Sequence, residues 1–506
     1  MITGENFIGR KRSALGKVVF STINPVLNQE NEWKSIEATS DEIKDATALA
    51  WSAFKVYRKT TAQERATFLD QIALEIEALG DELLEIYCVE SGLPRSRAES
   101  ERTRTLFQLN SLADYLRTSE WHQTSIDLAE PNRTPNPKPE LRKTHIPIGP
   151  VAVFGSSNFP LAYSTAGGDT ASALAVGCPV IVKSHPMHAG TGELVASAII
   201  RAAEKLGMPN GVFSNLNSKG IEVGVQLVQD SKVKAVGFTG SIKGGRALFD
   251  LANNRPEPIP VFAEMGSINP VIISQEALKL KGSTWAKIYA ESITLGTGQF
   301  CTNPGLILAI DSAELDAFTT ELAQKLVNIE SGCMLHPGIK HAFSTNKNEL
   351  LKQDGVQQIT EALDVEMNYA DQTIITVQGT HFLSNPRLHQ EVFGPFSLIV
   401  KCTNKEELLE IIEGLEGQLT GTIIAEENEL DEVQDILDEL QHRVGRVIFN
   451  GVPTGVEVCP SMHHGGPYPA TTDARFTAVG IDAIKRWLRP VAFQNFPLKL
   501  LPVELK

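Results

Sequence analysis

Apolar and polar positions follow two different rhythms along this chain, and the switch between them divides it. Near the N-terminus apolar residues recur every three to four positions over Ser40 to Arg58 and Thr61 to Leu79, with a third run up to Ser91, which predicts amphipathic helices. From Gly149 short continuous apolar runs take over. "VAVFG" reads as a strand, "PLAYSTAGGDTASALAVG" as a helix, "PVIVKS" as a strand and "TGELVASAIIRAAEKLG" as a helix. The alternation continues through "GVFSNL", "GIEVGVQLVQD", "VKAVGFTG", "SIKGGRALFDLANN" and "IPVFAEMG". Strands and helices of these lengths imply right-handed βαβ units and a mostly parallel sheet covered on both faces. Ligands of such sheets bind at the carboxyl ends of the strands.

A second alternating series begins at "NPVIIS" and includes "GLILAI", "FSLIVKCT", "LTGTIIAE" and "GRVIFNG", with "NKEELLEIIEGL" and "ENELDEVQDILDELQ" as helices between some of them. A second α/β domain is therefore expected, its acidic helices being solvated faces. The segment "HQTSIDLAEPNRTPNPKPELRKTH" is rich in proline and polar residues and suits an extended excursion between elements.

Composition narrows the functions. The 506 residues allow about three domains, and 42% hydrophobic residues is ordinary for a soluble globular chain. A formal charge of −15 gives no electrostatic reason to expect nucleic acid or an anionic membrane as partner. Val151 to Val182 contains no Lys or Arg, yet Pro160, Pro179 and its glycines fit buried sheet rather than a membrane span. Six cysteines without a CxxC pair suit a reducing compartment, and "MITGENFIGRKRSALG" lacks the apolar core of a signal peptide, so a cytoplasmic location is expected.

Five stretches could carry chemistry. In "GQFCTNPG" turn formers surround Cys301, a setting for a thiol that faces a cleft, although free cysteines usually just pack. Glu264 in "FAEMGSINP" ends a strand beside Gly266, where a carboxylate faces either a cleft or solvent. Asn158 in "FGSSNFP" follows a strand and suits an oxyanion donor or a helix cap equally. Lys183 in "VKSH" ends the next strand, within reach of a ribose or phosphate. "GFTGSIKGG" turns on Gly240 into a helix, a place where backbone N–H groups receive a pyrophosphate, though it is not the common GxGxxG.

Together "SSNFP", "VIVKS", "GFTGS", "FAEMGSINP", "GQFCTNPG" and "EVFGP" resemble the aldehyde dehydrogenase superfamily, in its order and over nearly the whole chain. The resemblance implies Cys301 as nucleophile, Glu264 as general base, Asn158 as oxyanion donor and Lys183 as ligand of the adenosine ribose. It places Glu391 and Phe393 beside the nicotinamide ribose and ring, and Gly240, Ser241 and Gly245 at the pyrophosphate turn. The chemistry is coherent: a thiolate adds to an aldehyde, the alkoxide needs donors, hydride leaves to a nicotinamide, and a base activates water against the thioester.

The implied fold is α/β, with two doubly wound parallel-sheet domains and a small β extension that joins subunits. Residues 1–122 and 147–260 would bind NAD(P), 261–455 would form the catalytic domain, 123–146 and 490–506 the oligomerisation extension, and 456–489 a return to the cofactor domain. A homodimer or homotetramer follows. Many members carry an acidic residue three positions after the cofactor lysine. Pro186 stands there, leaving Lys183, Ser184 and His185 to welcome a 2′-phosphate, so NADP is expected to be preferred and NAD accepted, with Lys219 as a further phosphate contact. His185, His188, His463 and His464 lack companions at ligand spacing; no metal is expected, and loop or substrate-pocket roles are.

Within the superfamily the signature most resembles 2,5-dioxovalerate (α-ketoglutaric semialdehyde) dehydrogenases, with NADP-dependent fatty aldehyde dehydrogenases as a sister group. A carboxylate-bearing substrate would want a cation. Phe159 is a candidate substrate contact, as are Arg102 and Arg104 of "ESERTRTLFQL", for which surface salt bridging is the alternative. A long-chain substrate would want an apolar tunnel. Acylating relatives, which pass the thioester to coenzyme A or phosphate, generally lack the base that Glu264 would be.

Overall fold

The computed structural model describes residues 2–118, 120–361, 363 and 365–506. Its first sheet has seven strands, in the spatial order Val261–Glu264, Ala235–Thr239, Val151–Phe154, Val180–Lys183, Phe213–Leu216, Asn6–Ile8 and Lys11–Ser13. The first five are parallel, and their ends align: Phe154 faces both Lys183 and Phe238, Lys183 faces Leu216, and Thr239 faces Glu264. One edge of the sheet therefore presents Lys183, the turn at Gly240 and Glu264 side by side.

Period-two alternation divides the apolar side chains between two cores, as expected of a sheet covered on both faces. Val151, Val153, Val180 and Val182 pack with the helices Ala62–Glu77 and Ala189–Lys205. Ala152, Phe154 and Ile181 pack with Ser40–Tyr57, Glu222–Gln229 and Ile242–Asn253. Thr39 and Thr61 form capping boxes with Glu42 and Glu64, which sets where the first two helices begin.

The second sheet runs Gln357–Gln358, Thr373–Gln378, Phe396–Cys402, Leu306–Ile310, Pro270–Ile273, Gln418–Ile424 and Val444–Phe449, parallel apart from its first edge strand. A third, antiparallel sheet of Leu488–Gln494, Leu141–Pro147 and Ser125–Asp127 gathers the proline-rich excursion and the C-terminal segment. Among the described residues no helix is long and apolar enough to cross a membrane, and Val151–Phe154 and Val180–Lys183 are strands of the first sheet.

Three expectations change. Val261–Glu264 pairs with Ala235–Thr239, so the first sheet extends beyond residue 260 to Glu264. The helix expected from Pro160 begins only at Gly168. The N–H groups of Leu161 and Ala162 donate instead to Glu101 Oε1, at 2.8 and 3.0 Å, and Gly167–Gly168 interrupts the run. The acidic run "ENELDEVQDILDELQ" splits into Glu427–Glu429 and Gln434–Leu440. Glu429 turns inward to accept from Ser274 Oγ at 2.5 Å and Glu276 N–H at 3.2 Å, capping the helix Gln275–Thr294.

Candidate active site

After the helix Gln275–Thr294 the chain passes through Gly296, Thr297 and Gly298 in left-handed conformation, φ 56, 59 and 64°, before reaching Cys301. A Cβ on Gly298 would lie 2.2 Å from the Gly394 carbonyl oxygen, so only glycine fits. Asn303 Nδ2 donates to that same carbonyl at 3.3 Å, and Asn269 Nδ2 to the carbonyls of Cys301 and Asn303, each at 2.9 Å. Three motifs distant in sequence, "EMGSIN", "GQFC" and "EVFGP", are thus one clamp around the cysteine backbone.

Glu264 reaches the same place from the first sheet. The Gly240 N–H donates to its carbonyl at 3.0 Å and holds the strand end. Between Glu264 and Cys301 stands a residue whose placement the sequence did not reveal: His464 Nε2 lies 2.8 Å from Glu264 Oε1 and 3.7 Å from Cys301 Sγ. The His464 N–H is fixed by Thr477 Oγ1 at 2.9 Å, and the ring is buried. His464 lies in a loop, as expected, and the return of the chain after residue 456 carries its ring between Glu264 and Cys301. A histidine in a glycine-rich loop gave no spacing cue. Glu264 Oε2 is buried without a hydrogen-bond partner.

Burial, the negative charge of Glu264 and that of Glu391 push the Cys301 thiol well above its ordinary range, so the resting sulfur is protonated. Asn158 Nδ2 donates to the Gln299 carbonyl at 3.0 Å, which brings the amide to the nucleophile loop. Burial raises the Glu391 carboxyl to about 7, partly offset by the Ser267 N–H. A Cβ on Gly266 would lie 2.7 Å from Glu391 Oε2, so the glycine lets this carboxylate approach. Phe393 stands beside it in a small crevice that also meets Gly298 and Phe300.

A cavity of about 180 Å³ opens above Cys301, walled by Phe159, Tyr163, Phe300 and one face of the helix Arg95–Arg117. Arg104 reaches it, donating to Tyr163 Oη at 3.3 Å and to the Val456 carbonyl. Arg102 does not: it lies on another side of the helix and donates to the Gly80 carbonyl at 3.3 Å. Arg97, which the sequence did not single out, is there instead.

The nucleotide end also shifts. Burial pushes Lys183 down to about 8, and nearby Glu37 works against that fall. Glu37 Oε2 accepts the Lys219 N–H at 3.3 Å. A carboxylate from the N-terminal segment thus stands where the sequence promised none. His185, half-buried, stacks on the buried His188; loss of solvent first, then the charges of His188 and Lys183, hold His185 well below its ordinary range, and burial lowers His188 to about 4. His185 is therefore neutral and no cation for a phosphate. Ser184 is 1% exposed, and a Cβ on Gly192 would lie 3.3 Å from its oxygen, so its side chain packs inward against a helix.

Ser241 caps the helix Ile242–Asn253 through the Gly244 N–H, leaving the free amides of that end beside Gly240. Gly245 serves packing: a Cβ there would lie 2.6 Å from Met265 Sδ. The chemistry of the helix end, Lys183 and the Glu391 carboxyl would suit, respectively, the pyrophosphate, adenosine ribose and nicotinamide ribose of a dinucleotide.

Comparison with known proteins agrees with this geometry. The model of the aldehyde dehydrogenase family matches residues 11–472. The α-ketoglutaric semialdehyde dehydrogenase 2 of Azospirillum brasilense is 46% identical over 508 aligned residues, covering 100% of this chain and 97% of its own. The α-ketoglutaric semialdehyde dehydrogenase of Acinetobacter baylyi is 45% identical, covering 99% and 96%. In structure, a betaine aldehyde dehydrogenase of Staphylococcus aureus in complex with NAD+ superposes with TM-score 0.84 at 19% identity, covering 99% of each chain. A 1-pyrroline-5-carboxylate dehydrogenase from Thermus with bound NAD gives 0.81 at 19%, covering 97% of this chain and 92% of the other. With the family model matching most of its length and relatives this similar over the whole of it, the chain belongs to the aldehyde dehydrogenase family.

Proposed function

We propose that the protein oxidises 2,5-dioxopentanoate, α-ketoglutaric semialdehyde, to 2-oxoglutarate. The observation that carries the reaction is the line Cys301 Sγ, His464 Nε2, Glu264 Oε1, with spacings of 3.7 and 2.8 Å. The two relatives at 46% and 45% identity support the substrate. Because the resting thiol is protonated, its proton must leave as the aldehyde arrives; His464 Nε2 and Glu264 form the pool that takes it. Sulfur then bonds to the carbonyl carbon. The developing oxyanion is met by the Asn158 amide and the Cys301 backbone N–H. The nicotinamide, when bound, supplies the acceptor for the hydride that leaves this carbon. Once that first proton has passed to solvent, Glu264 and His464 take a proton from water as its oxygen bonds to the thioester carbon; the C–S bond breaks, the sulfur regains a proton from the pair, and the acid departs. The presence of this base favours hydrolysis over acyl transfer to coenzyme A or phosphate.

Lys183, Glu391, Phe393 and the amides opened by Gly240 and Ser241 would hold the dinucleotide. Lys219 favours a 2′-phosphate and Glu37 opposes one, so both NADP and NAD are used. The NADP preference expected from sequence loses two of its supports in His185 and Ser184. The enzyme works in the cytoplasm as a homo-oligomer of two or four chains.

Steady-state oxidation of α-ketoglutaric semialdehyde beside a long-chain aliphatic aldehyde, each with NADP and NAD, tests this. A kcat/KM at least about tenfold higher for the semialdehyde, ~1.4 kcal/mol of transition-state discrimination, is expected. In Glu37→Gln the ratio of NADP to NAD efficiency should rise. A preference for the long-chain aldehyde would favour the fatty aldehyde reading, and an unchanged nucleotide ratio would remove Glu37 from the ribose site.

A further inference from the structure

Arg97, Ser100, Glu101 and Arg104 follow a spacing of three, four and seven on the helix Arg95–Arg117 and form one wall of the Cys301 cavity. The wall holds two cations and one carboxylate. Glu101 is already engaged: Oε1 accepts the N–H groups of Leu161 and Ala162, and Oε2 the Tyr87 hydroxyl at 2.6 Å. That carboxylate pins the turn behind Asn158. Arg104 is engaged as well, by the Val456 carbonyl and Tyr163.

Arg97 differs. Its Nε stands 3.5 Å from Glu101 Oε2 and is buried without a hydrogen-bond partner. The guanidinium carbon lies 4.4 Å from the ring centre of Phe159 and 4.6 Å from that of Phe300, and the two rings meet edge to face at 5.4 Å. Phe159 follows Asn158 directly and Phe300 precedes Cys301, so the cation is fixed against both loops that handle the aldehyde carbon. A guanidinium held over aromatic rings retains N–H donors beyond the Nε that faces Glu101, and these suit a planar oxyanion.

We propose that Arg97 receives the substrate's carboxylate and so sets the preference for aldehydes that end in an acid group. This rests on the reading that the substrate is an ω-oxo acid. The surplus positive charge of the wall matches one negative charge, and a cavity of about 180 Å³ matches a short chain. Phe159 and Phe300 are positioning residues for the cation.

The test compares kcat/KM for α-ketoglutaric semialdehyde and for pentanal, a neutral aldehyde of equal carbon number, in the wild type, Arg97→Met, Arg97→Lys and Arg104→Met. Arg97→Met should lower the ratio of acid to neutral efficiency by about 10- to 100-fold, the range for losing a hydrogen-bonded charged pair, and do so through KM for the acid more than through kcat. Arg97→Lys should recover part of it. An unchanged ratio in Arg97→Met, or a ratio that collapses only in Arg104→Met, overturns the assignment. A wild type with no preference for the acid overturns the substrate reading itself, and the two failures are thereby distinct.

Discussion

At the scale of single residues, the acid–base state of the centre is set by position. Cys301 is a protonated thiol because burial and the charges of Glu264 and Glu391 oppose a thiolate. The sign for a variant follows: Glu264→Gln removes a like charge, so the thiol titrates at lower pH, even as thioester hydrolysis is lost. Alkylation of Cys301 followed against pH by mass spectrometry should show its midpoint moving down in Glu264→Gln, and a midpoint that stays or rises would contradict this electrostatic account. That Cys301, Glu264 and Asn158 come together was legible, because their motifs lie in fixed order. His464, Arg97 and Glu37 were not. His464 comes from a loop with no metal-like spacing, Arg97 from a helix run, "RSRAESERTR", that reads as a solvated polar face, and Glu37 from a segment that reaches the sheet end only in three dimensions.

At the scale of elements, what matters is how turns bring strand ends and loops together. Strand identity was largely readable, since buried parallel strands are short apolar runs whatever their neighbours. Helix starts were less so: the stretch after Pro160 has a helical pattern, but its N–H groups find the Glu101 carboxylate, a partner visible only once two elements pack. The turn before Cys301 is the most constrained of these joints. Gly298 has φ 64° and no room for a Cβ before the Gly394 carbonyl. Gly298→Ala should therefore cost more than about 2 kcal/mol of stability, the left-handed penalty plus the collision, and lower kcat by shifting Cys301. Gly414, at the end of the helix Lys405–Gly414 with nothing within 4 Å of an added Cβ, provides the control. Gly414→Ala should be neutral or slightly stabilising in the same chemical denaturation series. Equal effects at both positions would refute the steric argument.

At the scale of the whole molecule, the two large sheets divide the labour. The first supplies Glu264, Lys183 and the turn at Gly240, the second the cysteine clamp. Among the described residues the third sheet lines neither the Cys301 cavity nor the crevice at Glu391, and its surroundings expose Ile126, Leu128, Leu498 and Leu500. The second sheet ends in Val444–Phe449, which has a strand neighbour on one side only among the described residues and exposes Val447 and Phe449. An open, apolar edge strand is a liability in a lone chain and an asset where another chain pairs with it. If subunits join through this edge, light scattering should give a mass of two or four times 55.1 kDa. Phe449→Glu, at a position 51% exposed in the single chain, should then shift the mass toward one chain without unfolding it. A wild type that stays monomeric at high concentration would rule out the oligomer. A Phe449→Glu variant that keeps the wild-type mass would move the interface elsewhere, most directly to the apolar rim of the third sheet.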